Sequence, residues 1–310
     1  MTPLPQLGFV AIAVTPLTDD AAIDYDGLRT LMDFYINCGA VGVTLLGVMG
    51  EAHRMTDADA LQVVDSTLDA IAGRVPVIVG ISDPSMPRAM ALADHSMAKG
   101  CVGVMLRPLT GLQGDSAVVN YFVDYAVALG PGVPICVQDF PKASGVHISV
   151  AAWRDIVERC PSVQMLKHED EPGLNKLSAI RQAEADGLRR VPILVGTNGI
   201  HLVQELDRGA DGAMTGFAFP DALVKVIKLH QAGEREAAED LFDAYLPVNR
   251  HELRIGISAR KEILRRRGAL DSARTRHPVK ALTDIDHAEL ERLLARLEAR
   301  TGKPIAELEA

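Results

Sequence analysis

The chain reads as an α/β protein, a closed (β/α)₈ barrel with a C-terminal helical extension, and three observations predict it. Short apolar, β-branched runs recur eight times, stretches of helical periodicity separate them, and beyond residue 220 the runs stop while helical stretches continue. Strands apolar on both faces belong to a parallel sheet covered on both sides. Eight strand–helix units in about 220 residues suit a barrel, with an open doubly wound sheet as the alternative.

In order, the strand candidates are FVAIAVTP (residues 9 to 16), VGVTLLG (41 to 47), VPVIVGI (75 to 81), VGVMLRP (102 to 108), VPICVQDF (133 to 140), VQMLKHE (163 to 169), VPILVGT (191 to 197) and DGAMTGF (211 to 217). Between them, segments such as YDGLRTLMDFYINCG, DADALQVVDSTLDAIAG and SMPRAMALADHSMAKG place apolar residues near i, i+3, i+4 and i+7. Three helix-to-strand joints look alike: CGAVGV (38 to 43), KGCVGV (99 to 104) and RGADGA (208 to 213). In each, a glycine is expected to close the helix in the left-handed conformation. The reading therefore assigns residues 1–220 to the barrel. Residues 221–310, which include the last barrel helix, become helices packed on the barrel or on a neighbouring subunit, with HPVK (277 to 280) as a turn between them.

Composition narrows the function classes. The 310 residues are 48% hydrophobic, and 32 basic against 41 acidic residues leave a formal charge of −9, which disfavours nucleic acid or an anionic membrane as partner. Cys38, Cys101, Cys136 and Cys160 form no CxxC and no Cys/His cluster, so they read as buried free thiols. His53, His147, His168 and His201 are scattered, GxGxxG and Walker patterns are absent, and the reading assigns neither metal nor cofactor. No basic n-region opens the chain and no apolar run reaches the roughly 18 residues of a membrane span, so a cytoplasmic protein is expected.

In such a barrel, function sits where the strands end. The second run ends in Gly47-Val48-Met49-Gly50-Glu51, the fourth in Arg107-Pro108, the fifth in Gln138-Asp139-Phe140-Pro141, the sixth in Lys167-His168-Glu169 and the seventh in Thr197-Asn198-Gly199. Strand side chains alternate faces, so Val163, Met165, Lys167 and Glu169 should point one way and His168 the other. An amine and a carboxylate then share one enclosed space. The plainer alternatives are a snorkelling Lys167 paired with Glu169 or Asp170, a Glu169 that caps the next helix, Gln138 and Asp139 as turn formers, and Arg107 held by an acidic loop.

These strand ends resemble a known family. GVMGEAHRMTDAD is similar to the GTTGE segment of the dihydrodipicolinate synthase and N-acetylneuraminate lyase family, QDFPKASG stands where that family carries a YNxP-type turn, and VQMLKHE matches its lysine strand. The resemblance implies a (β/α)₈ barrel with helical extension, usually tetrameric, that joins a lysine to a 2-keto acid as a Schiff base. Within the family the pattern is nearest to dehydratases of 2-keto-3-deoxy sugar acids, in particular those of 2-keto-3-deoxy-L-arabonate. The shared features are QD for YN, glutamate two residues after the lysine, GAMTG (Gly212 to Gly216) and RHP (Arg276 to Pro278).

The resemblance implies Lys167, Glu169 and Gln138 as catalytic residues. Gly47, Val48, Met49, Arg107, Asp139, Ser144, Thr197 and Asn198 are the candidate substrate-binding residues, with Lys142 beside Ser144 a further possibility. A lysine amine attacks a ketone only when neutral, and with an ordinary pKa of about 10.4 it needs an apolar site, for which Val163, Met165 and Met49 are candidates. A neighbouring carboxylate opposes that, so Lys167 and Glu169 are expected to titrate as a coupled pair. Three departures from the family stand out: Gln138 replaces a proton-relaying tyrosine, Val48 and Met49 replace threonines, and Ala143 replaces an arginine. The expected function is dehydration of a 2-keto-3-deoxy sugar acid. Alternatives are a pyruvate-dependent aldolase or dihydrodipicolinate synthase-like condensation, or a catalytically silent 2-keto-acid-binding barrel; a homo-oligomer, tetramer or dimer, is expected in each case.

Overall fold

A computed structural model describes residues 4–307 of the chain. Eight parallel strands close a barrel in sequence order: β1 (Gly8–Ile12), β2 (Gly42–Leu45), β3 (Val77–Gly80), β4 (Gly103–Leu106), β5 (Ile135–Asp139), β6 (Val163–His168), β7 (Ile193–Val195) and β8 (Gly212–Thr215). Closure comes from β8 pairing with β1, where Met214 stands opposite Val10. Each strand is shorter than its apolar run, because the ends of the runs turn into loops.

The intervening helices are α1 (Tyr25–Asn37), α2 (Asp57–Ile71), α3 (Met86–Lys99), α4 (Gly114–Leu129), the single turn α5 (Pro141–Ser144), α6 (Val150–Arg159), α7 (Leu174–Ala185) and α8 (Leu202–Asp207). Local chemistry starts and stops them. Asp24 accepts from the Gly27 N–H at the head of α1, and Thr56 with Asp59 forms a capping box on α2. Gly39, Gly100 and Gly209 all take positive φ, at 89°, 111° and 92°, as the three repeated joints require.

After β8 come α9 (Pro220–Gln231), which packs on β1, then α10 (Arg235–Ile255), α11 (Ile257–Arg266) and α12 (Asp284–Thr301). A buried ion pair anchors this set: Arg267 reaches both oxygens of Asp221 at 2.9 Å while its guanidinium lies 4.5 Å from the Phe219 ring centre. Among the described residues no helix is long and apolar enough to cross a membrane.

The core has two layers. Most buried apolar side chains lie between strands and helices, whereas Val10, Ile12, Ile78, Met105, Cys136, Met165, Leu194 and Met214 fill the barrel itself. One expectation about β6 is corrected here. Val163 lies in the outer layer although Met165 points inward, because the β5–β6 register shifts: Ile135 pairs with Val163 and Cys136 with Met165. The extra residue, Gln164, is exposed, and such a bulge resets which face later residues share.

Candidate active site

Above that bulge the alternation holds. Lys167 pairs in register with Gln138 on β5 and with Leu194 on β7, a barrel-filling residue, so all three side chains point inward. Lys167 therefore stands on a floor containing Met105, Cys136, Met165 and Met214, polarizable side chains that offer an amine no hydrogen-bond acceptor of strength. Burial pushes the Cys136 thiol up to about 12, so it adds no charge beneath the amine.

Lys167 is 4% exposed, Gln138 3% and Glu169 8%. Glu169 Oε2 accepts from Gln138 Nε2 at 2.6 Å and faces Lys167 Nζ at 3.1 Å, while Oε1 accepts from the Thr197 N–H at 3.1 Å. The carboxylate thus has a donor on each oxygen. Gly196 makes room for it, since a Cβ there would sit 2.2 Å from Glu169 Cγ.

These groups open on a cavity of about 210 Å³ whose wall also includes Val48, Met49, Thr197 and Asn198. Val48–Gly50 is a 3₁₀ turn in which the Gly50 and Glu51 N–H groups bond to the carbonyls of Gly47 and Val48; Gly47 heads the turn without lining the cavity. Glu51 turns away and is fully buried. It accepts from Lys261 Nζ at 2.8 Å, from the Arg276 N–H at 2.9 Å and from Arg54 at 3.2 Å. The loop after β2 is thereby tied to α11 and to the RHP segment. Burial pulls the Lys261 amine below the ordinary lysine range, and Glu51 opposes the shift.

Besides Gly47, three candidate binding residues lie outside the cavity lining. Asp139 follows the inward Gln138 and so points to the helices, where its carboxylate meets Lys176 and faces His168 Nδ1 at 3.8 Å. Ser144 is spent on its own turn: its single hydroxyl proton has the carbonyls of Phe140 and Val146 in reach, at 3.2 and 3.3 Å, and its oxygen accepts from the Val146 N–H. Arg107 is outside the cavity wall, with Nη1 on the Pro108 carbonyl at 3.3 Å. Lys142 does line the cavity, from an exposed position. His168 packs outward, as alternation predicts, with Nε2 3.1 Å from the Gly173 carbonyl.

The post-barrel helices supply residues that no strand end announces. Glu252 and Arg260 line the cavity with Thr215 and Gly216. Arg260 Nε donates to Glu252 Oε1 at 2.8 Å, Asn198 Nδ2 donates to the same oxygen at 2.9 Å, and the Ala218 N–H donates to Oε2 at 3.0 Å. Burial pushes the Glu252 carboxyl up, against the pull of Arg260 and the other donors. A faint signal existed: Glu252 lies four residues after buried Val248, and Arg260 four residues before buried Leu264, so both share the inward stripe of their helices. Among the described residues no group of three or more His, Cys, Asp or Glu side chains forms a metal site.

A sequence profile of the Dihydrodipicolinate synthetase family matches residues 6–297. An L-2-keto-3-deoxyarabonate dehydratase from Azospirillum brasilense is 29% identical over 296 residues, 94% of each chain. A 4-hydroxy-tetrahydrodipicolinate synthase from Methanococcus maripaludis is 25% identical over 244 residues, 78% of this chain and 81% of its own. The crystal structure of a dihydrodipicolinate synthase from Rhodopseudomonas palustris superposes with a TM-score of 0.93 at 42% identity, covering 96% of this chain and 100% of that one.

Proposed function

The chain belongs to the dihydrodipicolinate synthetase family and is a lyase of that family, and from this we propose that it dehydrates a 2-keto-3-deoxy sugar acid through an imine on Lys167. The observation that carries the reading is the shared contact of Lys167 and Gln138 with one oxygen of Glu169 inside the cavity. The name of the Azospirillum relative supports it.

In the proposed reaction the Lys167 amine adds to the C2 ketone and water leaves, giving an iminium ion. Its charge acidifies the C3 protons, and Glu169 removes one. The resulting enamine expels the C4 hydroxyl, which departs as water with the proton held by Glu169. Hydrolysis of the imine then frees Lys167 and an unsaturated 2-keto acid. Gln138 orients Glu169, and the N–H groups of Val48 and Met49 receive the C1 carboxylate at the head of their turn.

A second reading, carbon–carbon bond formation or cleavage with pyruvate by the same imine, draws on the names of the Methanococcus and Rhodopseudomonas relatives. Gln138 argues against it, because an amide cannot titrate as a proton relay. Incubation with a panel of 2-keto-3-deoxy acids separates the two. Loss of one water per substrate is expected, and release of pyruvate with an aldehyde would favour the second reading.

A further inference from the structure

We propose that an open cleft beside the loop after β2, walled by Arg54, Arg274 and Arg276 with His53 and His277, binds the phosphate group of a small phosphorylated metabolite. The cleft is separate from the active cavity and independent of the reaction read there: none of these five residues lines that cavity, and the RHP segment (Arg276 to Pro278) faces the cleft instead. Its volume is about 810 Å³, room for a phosphate together with the molecule that carries it.

Charge sets the cleft apart from the rest of the molecule. The chain carries a formal −9, yet every ionisable side chain lining the cleft is a base. Lys261 stands just behind the wall, its Nζ donating to the Arg274 carbonyl at 2.8 Å. Arg54 and Lys261 share Glu51, Arg276 has Asp59 at 3.5 Å, and Arg274 forms no ion pair among the described residues. Two carboxylates therefore answer four cations. That excess suits a phosphate monoester, which carries roughly −1.5 to −2 at neutral pH.

Donors are free as well as charge. The Arg54 and Arg276 side chains are each 19% exposed. Arg54 spends Nη1 on Glu51, and Arg276 spends Nη1 on the Arg54 carbonyl at 2.8 Å, so Nη2 of both makes no hydrogen bond among the described residues. The side chains of Arg274 and His277 are exposed and also make none. A phosphate monoester has three terminal oxygens, enough to meet three guanidinium groups at once, whereas a carboxylate has two.

Titration calorimetry of the full chain at constant ionic strength tests this with glycerol 3-phosphate, a phosphate monoester without a carbonyl, against succinate, a dianion with carboxylate oxygens only. The phosphate is expected to bind saturably and about tenfold or more tighter than succinate. Arg274→Glu should weaken it by about tenfold or more. Arg296→Glu makes the same charge change at an exposed position of α12 outside the cleft and should leave affinity within about twofold. Both arginines are exposed, so both variants are expected to fold. Deuterium exchange with the phosphate bound should slow in peptides covering residues 48–54 and 274–278. Absence of saturable binding to the wild type, succinate binding as tightly, equal losses in the two variants, or protection confined to other peptides overturns the proposal.

Discussion

Gln138 donates its amide to Glu169 over 2.6 Å, at the same oxygen that faces Lys167 at 3.1 Å. If Glu169 carries the proton between C3 and the leaving hydroxyl, Glu169→Gln should lower dehydration by about 10² to 10⁴. Pyruvate should still be trapped on Lys167 in that variant. Steady-state kinetics beside borohydride trapping distinguishes the two steps, and a dehydration rate within a few-fold of wild type would remove Glu169 from its role.

Gly196 is expected to behave as an extension of Glu169. A Cβ at this position would lie 2.4 Å from Glu169 Oε1 as well as 2.2 Å from Cγ, and the carboxylate has to move. Gly196→Ala should thus reproduce most of the Glu169→Gln defect in kcat while the chain stays folded. Activity near wild type would mean that the carboxylate's placement matters little.

The Glu51–Lys261 pair is a stability prediction. Both side chains are buried, and removing Lys261 takes away the cation on Glu51 Oε2, leaving Arg54 at 3.2 Å and the Arg276 N–H, both on Oε1, to offset a buried carboxylate. Lys261→Met should cost about 3–5 kcal/mol in denaturant unfolding, and the double variant with Glu51→Gln should recover part of that loss. A cost below about 1 kcal/mol, the range of an exposed pair, would contradict the burial seen here.

Glu205 on α8 supplies a pH dependence. Burial raises its carboxyl from an ordinary 4.5 to about 7, with His168 opposing and Glu171 adding to the shift. The folded state then holds a proton that the unfolded chain releases, so stability falls as pH rises from about 4.5 through about 7. At one pKa unit per 1.36 kcal/mol the loss is on the order of 3 kcal/mol. Glu205→Gln should melt above wild type at pH 8, with the gap closing toward pH 4.5. A constant gap across that range would rule Glu205 out as its source.

The barrel was legible because each strand and each joint carries a local signal: eight apolar runs, and glycines at 39, 100 and 209 that take the left-handed conformation. Lys167 and Glu169 were legible from strand alternation, and so was the outward course of His168. Val163 was misread because a bulge leaves no mark on an apolar run; it shows only in the β5–β6 pairing. Asp139 was grouped with Gln138 by proximity to the strand end, although alternation already sends it to the other face. Glu252 and Arg260 were missed for a different reason. Their contact with Asn198 joins positions more than fifty residues apart, and a charged residue on an amphipathic helix reads first as solvated surface.

Every step proposed for the site passes through a covalent bond between Lys167 and the carbonyl carbon of a 2-keto acid. The most direct test is borohydride reduction of the protein with pyruvate, followed by peptide mass mapping. One added mass per chain is expected, that of reduced pyruvate less the water lost, on the peptide holding Lys167 and absent from Lys167→Met. No adduct with any 2-keto acid, or an adduct on another lysine, would contradict it.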